Sequence, residues 1–194
     1  MNRSTNYTRT QPTTEPVTVG ELRTQLLIDT TEHDGDLADM ISEARREAET
    51  VRCGDVALID SACVDYFNTL EGDMELHWAP VDSITSVAYL DSNGDSQDLA
   101  ETVYELGTIN GMGVLRLKYD QTWPSTRCHP DCVTVTYKAG YGEEATDVPP
   151  GVRRWIKARA AWLYQNRDGE EYPWPDTMNV LLAEAATVRV YGGN

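Results

Sequence analysis

The residues that could perform chemistry in this chain are few and scattered. Its histidines are His33, His77 and His129, and none stands at the spacing with which metalloproteases bind zinc. The sequence contains neither a serine nucleophile elbow nor a glycine-rich phosphate loop. His77 alternates with apolar neighbours and is most simply a residue on the polar face of a strand. This set of residues predicts no catalytic site.

The four cysteines supply at most half of a zinc site. Cys53 and Cys63 are far in sequence from Cys128 and Cys132, and only the second pair is close, framing His129 in CHPDC. A structural zinc site normally uses two tight pairs of thiolates or imidazoles. We therefore expect reduced thiols, no metal and no cofactor, with a Cys128–Cys132 disulfide as an alternative.

A calcium loop is the remaining candidate, because Asp91, Asn93 and Asp95 alternate as calcium ligands do. Gly94 comes too early for such a loop, and no glutamate stands at the offset where a bidentate ligand is required. The Asn-Gly dipeptide instead favours a type I′ hairpin turn. We predict a turn here and no enzymatic activity, with a metal-dependent enzyme kept as an alternative.

The charge of the chain narrows the class of protein further. The 194 residues include 32 acidic and 16 basic ones, for a net charge of −16. Such a surface repels phosphate backbones, which argues against a protein that wraps nucleic acid. The scarcity of lysine, with Lys118, Lys138 and Lys157 as the only ones, fits a salt-accumulating host such as a halophilic archaeon. An ordinary acidic protein from a GC-rich genome is the alternative. The polar N-terminus and the lack of long apolar runs predict neither export nor a membrane span.

Helices are predicted in two regions, 17–54 and 149–186. Thr18 and Glu21 have the spacing of a capping box, and the helix that they begin should end near Asp29. The apolar stripe of a second helix, from about Asp36 to Gly54, consists of Leu37, Met40, Ile41, Ala44, Ala48 and Val51. Pro149 and Pro150 begin a third helix, whose apolar face is formed by Val152, Trp155, Ile156, Ala160 and Leu163. A last helix from Asp176 places Met178, Leu181, Leu182 and Ala185 on one side.

The middle of the chain changes to the two-residue period of strands. Alternation over Met74–Trp78, Thr85–Tyr89 and Val133–Tyr137, with turns at Asn93-Gly94 and Asn110-Gly111, predicts an antiparallel sheet. The fold class is therefore α+β, a small helical bundle built from N- and C-terminal helices with an inserted antiparallel β-domain. We predict a flexible N-terminal tail over 1–16, a helical core over 17–54 and 149–186, a β-rich insertion over 55–139, and a C-terminal arm over 187–194.

The candidate interface consists of basic residues on the third helix and of four residues on the C-terminal arm. Arg153, Arg154 and Lys157 are exposed helix surface by default and a docking patch for an acidic partner in the functional interpretation. Arg159 falls within the apolar face, so it either reaches the edge of the core or contacts another chain. The candidate residues on the arm are Val188, Arg189, Val190 and Tyr191.

The succession of these segments resembles the head–tail connector, or adaptor, proteins of long-tailed double-stranded-DNA viruses. The similarity covers about residues 17–191, and its most specific parts are PVDSITSV, the AGYG turn with the proline-started helix VPPGVRRWI, and LYQNRD. Lys157 and Arg159 depart from the pattern, because such proteins usually carry aliphatic residues there. The chain is also more acidic than most of them.

The resemblance implies a virion structural protein without a cofactor. Such adaptors form a ring, usually of twelve copies, beneath the portal protein in the neck of the virion, after assembly in the host cytoplasm. The implied partners are other copies of the chain, the portal protein and the next neck or tail-completion protein. Double-stranded DNA would pass through the channel without sequence-specific binding, and no membrane is involved. A monomeric β-domain binding module is a further alternative.

Overall fold

The computed structural model describes residues 2–167 and 175–186, and these fall into two compact units. The helical unit comprises residues 12–59 together with the described residues from 141 onward. The strand unit comprises residues 2–11 and 60–140. The α+β class, with a strand-rich region inserted between N- and C-terminal helices, is confirmed. The predicted arm over 187–194 lies outside the described residues.

The helical unit consists of helices whose apolar faces form one buried cluster. Its elements are α1 (Val19–Leu26), α2 (Asp34–Arg46), a π-helical turn (Glu47–Arg52), a short 3₁₀ turn (Ala145–Asp147), α3 (Pro150–Gln165), a 3₁₀ helix (Asp176–Leu182) and α4 (Ala183–Ala186). Among the described residues, no helix combines the length and the hydropathy that crossing a bilayer requires.

The start of α1 agrees with the sequence prediction, and its end does not. Thr18 Oγ1 accepts the backbone N–H of Glu21, and the Glu21 carboxylate accepts the N–H of Thr18, so the predicted capping box is confirmed. The helix ends at Leu26 instead of Asp29, because Leu27 adopts a left-handed conformation with φ 58°. Helix α3 begins with Pro150 in its first turn, as predicted.

The apolar stripe of α2 is correct for most of its length and wrong at Val51. Leu37, Ile41, Ala44 and Ala48 are buried, whereas Val51 is 72% exposed. The π-helical turn over Glu47–Arg52 takes more residues per turn than an α-helix, so Val51, near its end, is rotated away from the expected face. The prediction assumed a continuous α-helical period and therefore placed Val51 in the core.

The remaining core predictions in the helical unit are also partly correct. Leu182 is buried, as predicted, but Leu163 is only half-buried. The other predicted residues of the α3 face, Val152, Trp155, Ile156 and Ala160, are buried, and Ala161 completes that face in place of Leu163. The segment 56–59 also belongs to this core, because Val56, Leu58 and Ile59 pack in the helical cluster. The inserted segment of the strand unit accordingly begins at residue 60 and not at residue 55.

The strand unit contains two sheets. The four-stranded sheet has the order β1 (Asn2–Arg3), β4 (Met74–Glu75), β8 (Met112–Leu117) and β7 (Tyr104–Ile109). The five-stranded sheet has the order β2 (Asn6–Arg9), β3 (Ser61–Phe67), β9 (Val133–Ala139), β5 (Val81–Leu90) and β6 (Ser96–Asp98). All pairings are antiparallel except that of β1 with β4, which is parallel.

The prediction of a flexible tail over 1–16 is wrong for residues 2–9, because they form edge strands. Strand β2 pairs with β3 in the register Asn6↔Tyr66 to Arg9↔Cys63, and β1 pairs with β4. An edge strand is held mainly by backbone hydrogen bonds, so it needs no apolar alternation of its own. A polar sequence therefore hides it from periodicity analysis.

The interior of the strand unit follows the predicted alternation. Val133, Val135 and Tyr137 on β9 are buried, as are Met74, Leu76 and Trp78. The turn between β7 and β8 has positive φ at both Asn110 and Gly111, as a type I′ hairpin requires. The type I′ prediction is wrong at the other dipeptide, because Gly94 has a positive φ and Asn93 does not.

Candidate functional site

The predicted basic cluster lies on the first half of α3, where the structure gives its members different environments. Arg153 is fixed inside the helical unit. Its Nε donates to the carbonyl oxygen of Pro16 at 2.9 Å, and its Nη2 donates to Glu21 Oε1 at 3.0 Å. These bonds join the start of α3 to the start of α1. Arg153 therefore holds two helices together.

The carboxylate of Glu21 joins several of these groups. Its pKa is lowered first by the hydrogen bond from the Thr18 N–H, and further by the positive charges of Arg153 and Lys157. Partial burial opposes this shift. Lys157, which is half-buried, thus contributes electrostatically to the same helix-capping group. Arg153 thus already has an acidic partner within its own chain, and the charge of Lys157 acts on the same carboxylate.

Arg159 is placed by an ion pair and an aromatic ring. Its Nε lies 2.8 Å from Glu47 Oε2, and its guanidinium stacks over the Trp162 ring with the carbon 4.5 Å from the ring centroid. Glu47 also accepts from Arg52 at 2.9 Å. The sequence analysis left open whether Arg159 reaches the edge of the core or contacts another chain, and these bonds favour the first interpretation.

Arg154 is the member of the cluster that faces solvent. It is exposed and has no acidic partner among the residues that the structure describes. The four candidate residues on the arm, Val188, Arg189, Val190 and Tyr191, lie outside the described residues. The structure therefore brings Arg153, Lys157 and Glu21 together, holds Arg159 apart from them, and leaves Arg154 free for an external partner.

A buried ion-pair network in the helical unit was missed by the sequence analysis. Arg45 and Glu49 are 2% and 1% exposed, and Arg45 Nη1 donates to Glu49 Oε2 at 2.7 Å. Arg45 Nε donates to Glu15 Oε2 at 2.8 Å, and Glu49 Oε1 accepts the backbone N–H of Leu58 at 3.1 Å. The i,i+4 spacing of Arg45 and Glu49 was the available signal, but it is also typical of exposed helix surfaces.

The nearby Cys53 thiol is also buried, and its burial changes its pKa. Burial, and secondly the charge of Glu49, raises the pKa of the Cys53 thiol to about 11. A thiol with a raised pKa is a poor metal ligand and a poor nucleophile. All four cysteines are free thiols, so the alternative Cys128–Cys132 disulfide is absent. Among the described residues, no group of three or more metal-binding side chains comes together.

The strand unit contains a second buried network, centred on Asp65. Its Oδ2 accepts the backbone N–H of His77 at 2.6 Å, and its Oδ1 accepts the Tyr137 hydroxyl at 3.1 Å. The same hydroxyl accepts the N–H of Trp78 at 3.0 Å. Burial raises the pKa of Asp65 to about 6, although these hydrogen bonds oppose the shift. Sequence analysis missed this network, because Asp65 lies on a strand whose partners are distant in sequence.

His77, expected on the polar face of a strand, is half-buried beneath the N-terminal strand. Its ring stacks on Tyr7 with centroids 3.4 Å apart, and the guanidinium of Arg9 lies 4.6 Å from the Trp78 ring centroid. Aromatic stacking and cation–π contact add side-chain attachment to the backbone pairing of β2. The histidine therefore holds an edge strand in place.

The Asp91 segment forms a capped turn and not a calcium loop. Asp91 Oδ1 accepts the backbone N–H groups of Asn93, Gly94 and Asp95 at 2.8, 3.0 and 3.1 Å. These bonds lower the pKa of Asp91, with the hydrogen bond from Asp95 as the largest cause. The oxygen that would have to bind calcium is thus already used in the turn.

Comparisons with known proteins place the fold. No protein-family model and no curated protein matches this sequence. Solved structures do match: a chain from the virion of the native gene transfer agent (GTA) particle aligns with a TM-score of 0.77 and 22% identity, over 95% of this chain and 98% of that chain. A chain from the neck of the empty GTA particle, computed with C6 symmetry, aligns with a TM-score of 0.73 and 22% identity, over 96% and 98%.

A third similar chain comes from the neck of the native GTA particle, computed with C12 symmetry. Its TM-score is 0.70 at 22% identity, and the alignment covers 96% of this chain and 98% of that chain. Likeness at this identity establishes a common fold, and here it extends along nearly the whole of both chains. At the level of the fold, this chain is therefore similar to chains from the neck of the GTA particle.

Proposed function

We propose that this chain is a virion structural protein, a head-to-tail adaptor that forms a ring beneath the portal in the neck of a phage-like particle. The observation that carries the proposal is the fold shared over 95% of the chain with a chain of the GTA virion. The C12 symmetry applied to one such neck supports a ring of twelve copies. The ring would extend the DNA channel and present a surface to the next neck or tail protein.

The ionisable side chains that could perform chemistry have structural roles instead. Glu49 and Asp65 are buried among hydrogen bonds, Asp91 caps a turn, and Arg153 and Arg159 hold helices together. Each contributes to fold geometry, and catalysis would require such groups to converge on a substrate. We therefore propose that the chain has no enzymatic activity.

The net charge of −16 is compatible with a channel for DNA. Carboxylates around the duplex repel its phosphates, so the genome can move through the ring without adhering. The same charge makes sequence-specific DNA binding by this chain unfavourable. We further propose that residues 187–194 form an arm that reaches a neighbouring copy or the portal. Deleting that arm should leave subunit folding intact and reduce the joining of heads to tails.

Electron microscopy of portal-bearing heads mixed with the purified full chain tests the proposal. We expect ring-shaped density at the portal vertex, and no density when the portal is absent from the heads. A chain that stays monomeric and does not bind these heads would contradict the adaptor function and favour a monomeric binding module. A metal-dependent activity abolished by a chelator, in a chain that forms no ring, would favour the enzyme.

A further inference from the structure

The two ends of the helical unit differ in charge, and each exposes large apolar side chains. The acidic end comprises the exposed residues Leu27, Asp29, Glu32, Asp36 and Asp39. The basic end comprises the exposed residues Arg46, Val51, Arg52, Arg154 and Val180. Leu27, Val51 and Val180 are three of the five large hydrophobic residues that are exposed in the described chain, and all three belong to this unit.

Leu27 at the acidic end is unfavourable in two independent respects. Its side chain is 88% exposed, and its backbone φ of 58° lies in the left-handed region that glycine usually occupies after a helix. The N–H of Ile28 bonds to the carbonyl oxygen of Arg23 at 3.0 Å, so the backbone needs this conformation to end α1. Nothing in the helix ending needs a leucine side chain. A neighbouring molecule that covers this side chain would account for it.

Carboxylates outnumber cations at the acidic end. Arg23 pairs with Asp34 at 3.3 Å, and Arg167 lies 3.8 Å from Asp36. Asp29, Glu32 and Asp39 are exposed and form no ion pair with any residue that the structure describes. This end therefore carries uncompensated negative charge.

The basic end has the opposite character. Val51 and Val180 are 72% and 73% exposed. They lie on the π-helical turn and the 3₁₀ helix, which pack against each other. Arg46 and Arg154 are exposed without an acidic partner among the described residues, and Glu47 is shared between Arg52 and Arg159. In a chain with a net charge of −16, a concentration of unpaired arginines around apolar side chains is an exception.

The two ends are opposite each other along the unit. Asp36 of α2 faces Arg167, whereas Glu47, farther along, faces Arg159, so α2 and α3 are antiparallel. Fifteen residues separate Asp36 from Val51, which corresponds to about 22 Å of helix. In a ring of many copies each subunit is rotated only slightly from the next, so its two contact surfaces must be different and nearly opposite. The ends of the helical unit satisfy this requirement.

We propose that the acidic end of one copy docks on the basic end of the next copy in the ring. Leu27 would pack against Val51 and Val180, and the carboxylates around it would face Arg46 and Arg154 of the neighbour. A second copy is the occupant that the charges favour, because one chain supplies both complementary surfaces. This inference rests on the proposed function and adds the surface through which the ring closes.

Charge reversal at each end tests the contact. The basic-end variant carries Arg46→Glu with Arg154→Glu, the acidic-end variant carries Asp29→Arg with Asp39→Arg, and a third variant carries all four changes. We expect each single-end variant to lower the ring population on portal-bearing heads by roughly tenfold, because like charges then meet. The four-fold variant should restore it to within about threefold of the unmodified chain. Arg3→Glu with Arg127→Glu in the strand unit is the matched control and should leave rings unchanged.

The outcomes separate the inference from the proposed function. Rings that tolerate both single-end reversals, or a four-fold variant that assembles no better than the single-end variants, would overturn the contact and leave the adaptor function standing. An unmodified chain that forms no ring on portal-bearing heads would overturn the function itself. Circular dichroism of each variant should match the unmodified chain, because the substituted residues are exposed.

Leu27→Gly supplies a test in which subunit stability and assembly change in opposite directions. Glycine adopts positive φ without steric cost, so the thermal midpoint of the monomer should rise by about 2–4 °C. Ring population should fall, because the apolar side chain is lost from the contact. A leucine that serves only its own subunit would give unchanged rings. Ala38→Gly, at an exposed position of α2, is the control: it should lower the midpoint and leave assembly unchanged.

Discussion

The helical unit and the strand unit each bury a carboxylate, and they stabilise it by different means. In the helical unit the Glu49 carboxylate lies 2.7 Å from the Arg45 guanidinium, which also bonds to Glu15. In the strand unit Asp65 receives hydrogen bonds from Tyr137 and the His77 backbone, and among the described residues neither Arg nor Lys forms an ion pair with it. Its pKa is accordingly raised to about 6 by burial.

Because of this difference, we expect the helical unit to be the more sensitive to loss of a charged partner and the strand unit to be the more sensitive to pH. A buried ion pair depends on both partners, so removal of one partner leaves an uncompensated charge. A buried acid held by neutral donors can take up a proton, so its contribution varies with pH.

A charge placed in the helical core should have the largest effect. Ile41 is 1% exposed on α2, and Ile41→Asp buries a carboxylate without a partner. We expect a loss of about 4 kcal/mol or more in the free energy of unfolding, enough to unfold the helical unit. Ala38→Asp, on the exposed side of the same helix, is the control. An unchanged thermal midpoint for Ile41→Asp would mean that α2 does not pack as described.

The buried ion pair should be nearly as sensitive when it is broken from one side. Arg45→Met leaves Glu49 buried without its cation, and we expect a loss of about 3–5 kcal/mol. Adding Glu49→Gln removes the stranded charge and retains an acceptor for the Leu58 N–H, so the double variant should recover most of that loss. Chemical denaturation of the three proteins measures the coupling. Additive effects in the double variant would contradict a direct pair.

Asp65 should make the stability of the strand unit depend on pH. Its pKa is about 6 in the folded state and near 3.8 when unfolded, so the folded protein binds the proton more tightly. The contribution of protonated Asp65 to the free energy of unfolding is therefore fully present below about pH 4. It declines as the pH rises to about 6, and above that pH the free energy of unfolding no longer changes through Asp65. The decline amounts to about 2–3 kcal/mol.

Comparison with Asp65→Asn isolates this effect from the other carboxylates. The variant cannot ionise, so the difference in unfolding free energy between it and the unmodified chain should change between about pH 4 and about pH 6. Asp82→Asn, at an exposed position of β5, should show no such change. A difference that is constant with pH for Asp65→Asn would mean that the carboxyl is not held in its neutral form.

Salt should produce the smallest effect, acting on both units. The mutual repulsion of surface carboxylates weakens as the Debye length falls to roughly 3 Å at about 1 M salt. We expect the thermal midpoint to rise by a few degrees between about 0.1 M and about 3 M potassium chloride, as a salt-accumulating host would require. A midpoint that is flat or falls over this range would favour the ordinary acidic protein from a GC-rich genome.

The helices were easier to predict than the strands because their signals are local. The capping box of Thr18 and Glu21 and the proline start of α3 involve residues within one helical turn. The stripe of α2 was also correct until the π-helical turn changed its period, at which point Val51 was misplaced. The strand positions on β9 were predicted from alternation, but the N-terminal strands were not, since their pairing partners lie 54 to 72 residues away.

For the candidate site, too, local features were predictable from the sequence and contacts with distant residues were not. The sequence identified Arg153, Arg154 and Lys157 as a basic cluster and Arg159 as a cation within the apolar face, and spacing along a helix was sufficient for that. It could not show that Arg153 and Arg159 are held by Glu21 and Glu47, because these partners lie more than a hundred residues away. Arg154 is distinguished from the others by tertiary contacts alone.

By itself, the sequence determined the α+β class, the helix starts, most of the two cores and the excess of negative charge, because these depend on residue type and short-range period. The tertiary structure decided which polar residues are buried. Arg45, Glu49 and Asp65 are of residue types that usually lie on the surface, yet they lie in the interior. It also decided that Leu27 and Val51 are exposed at opposite ends of one unit. Burial depends on how distant segments pack, and period alone carries no information about that packing.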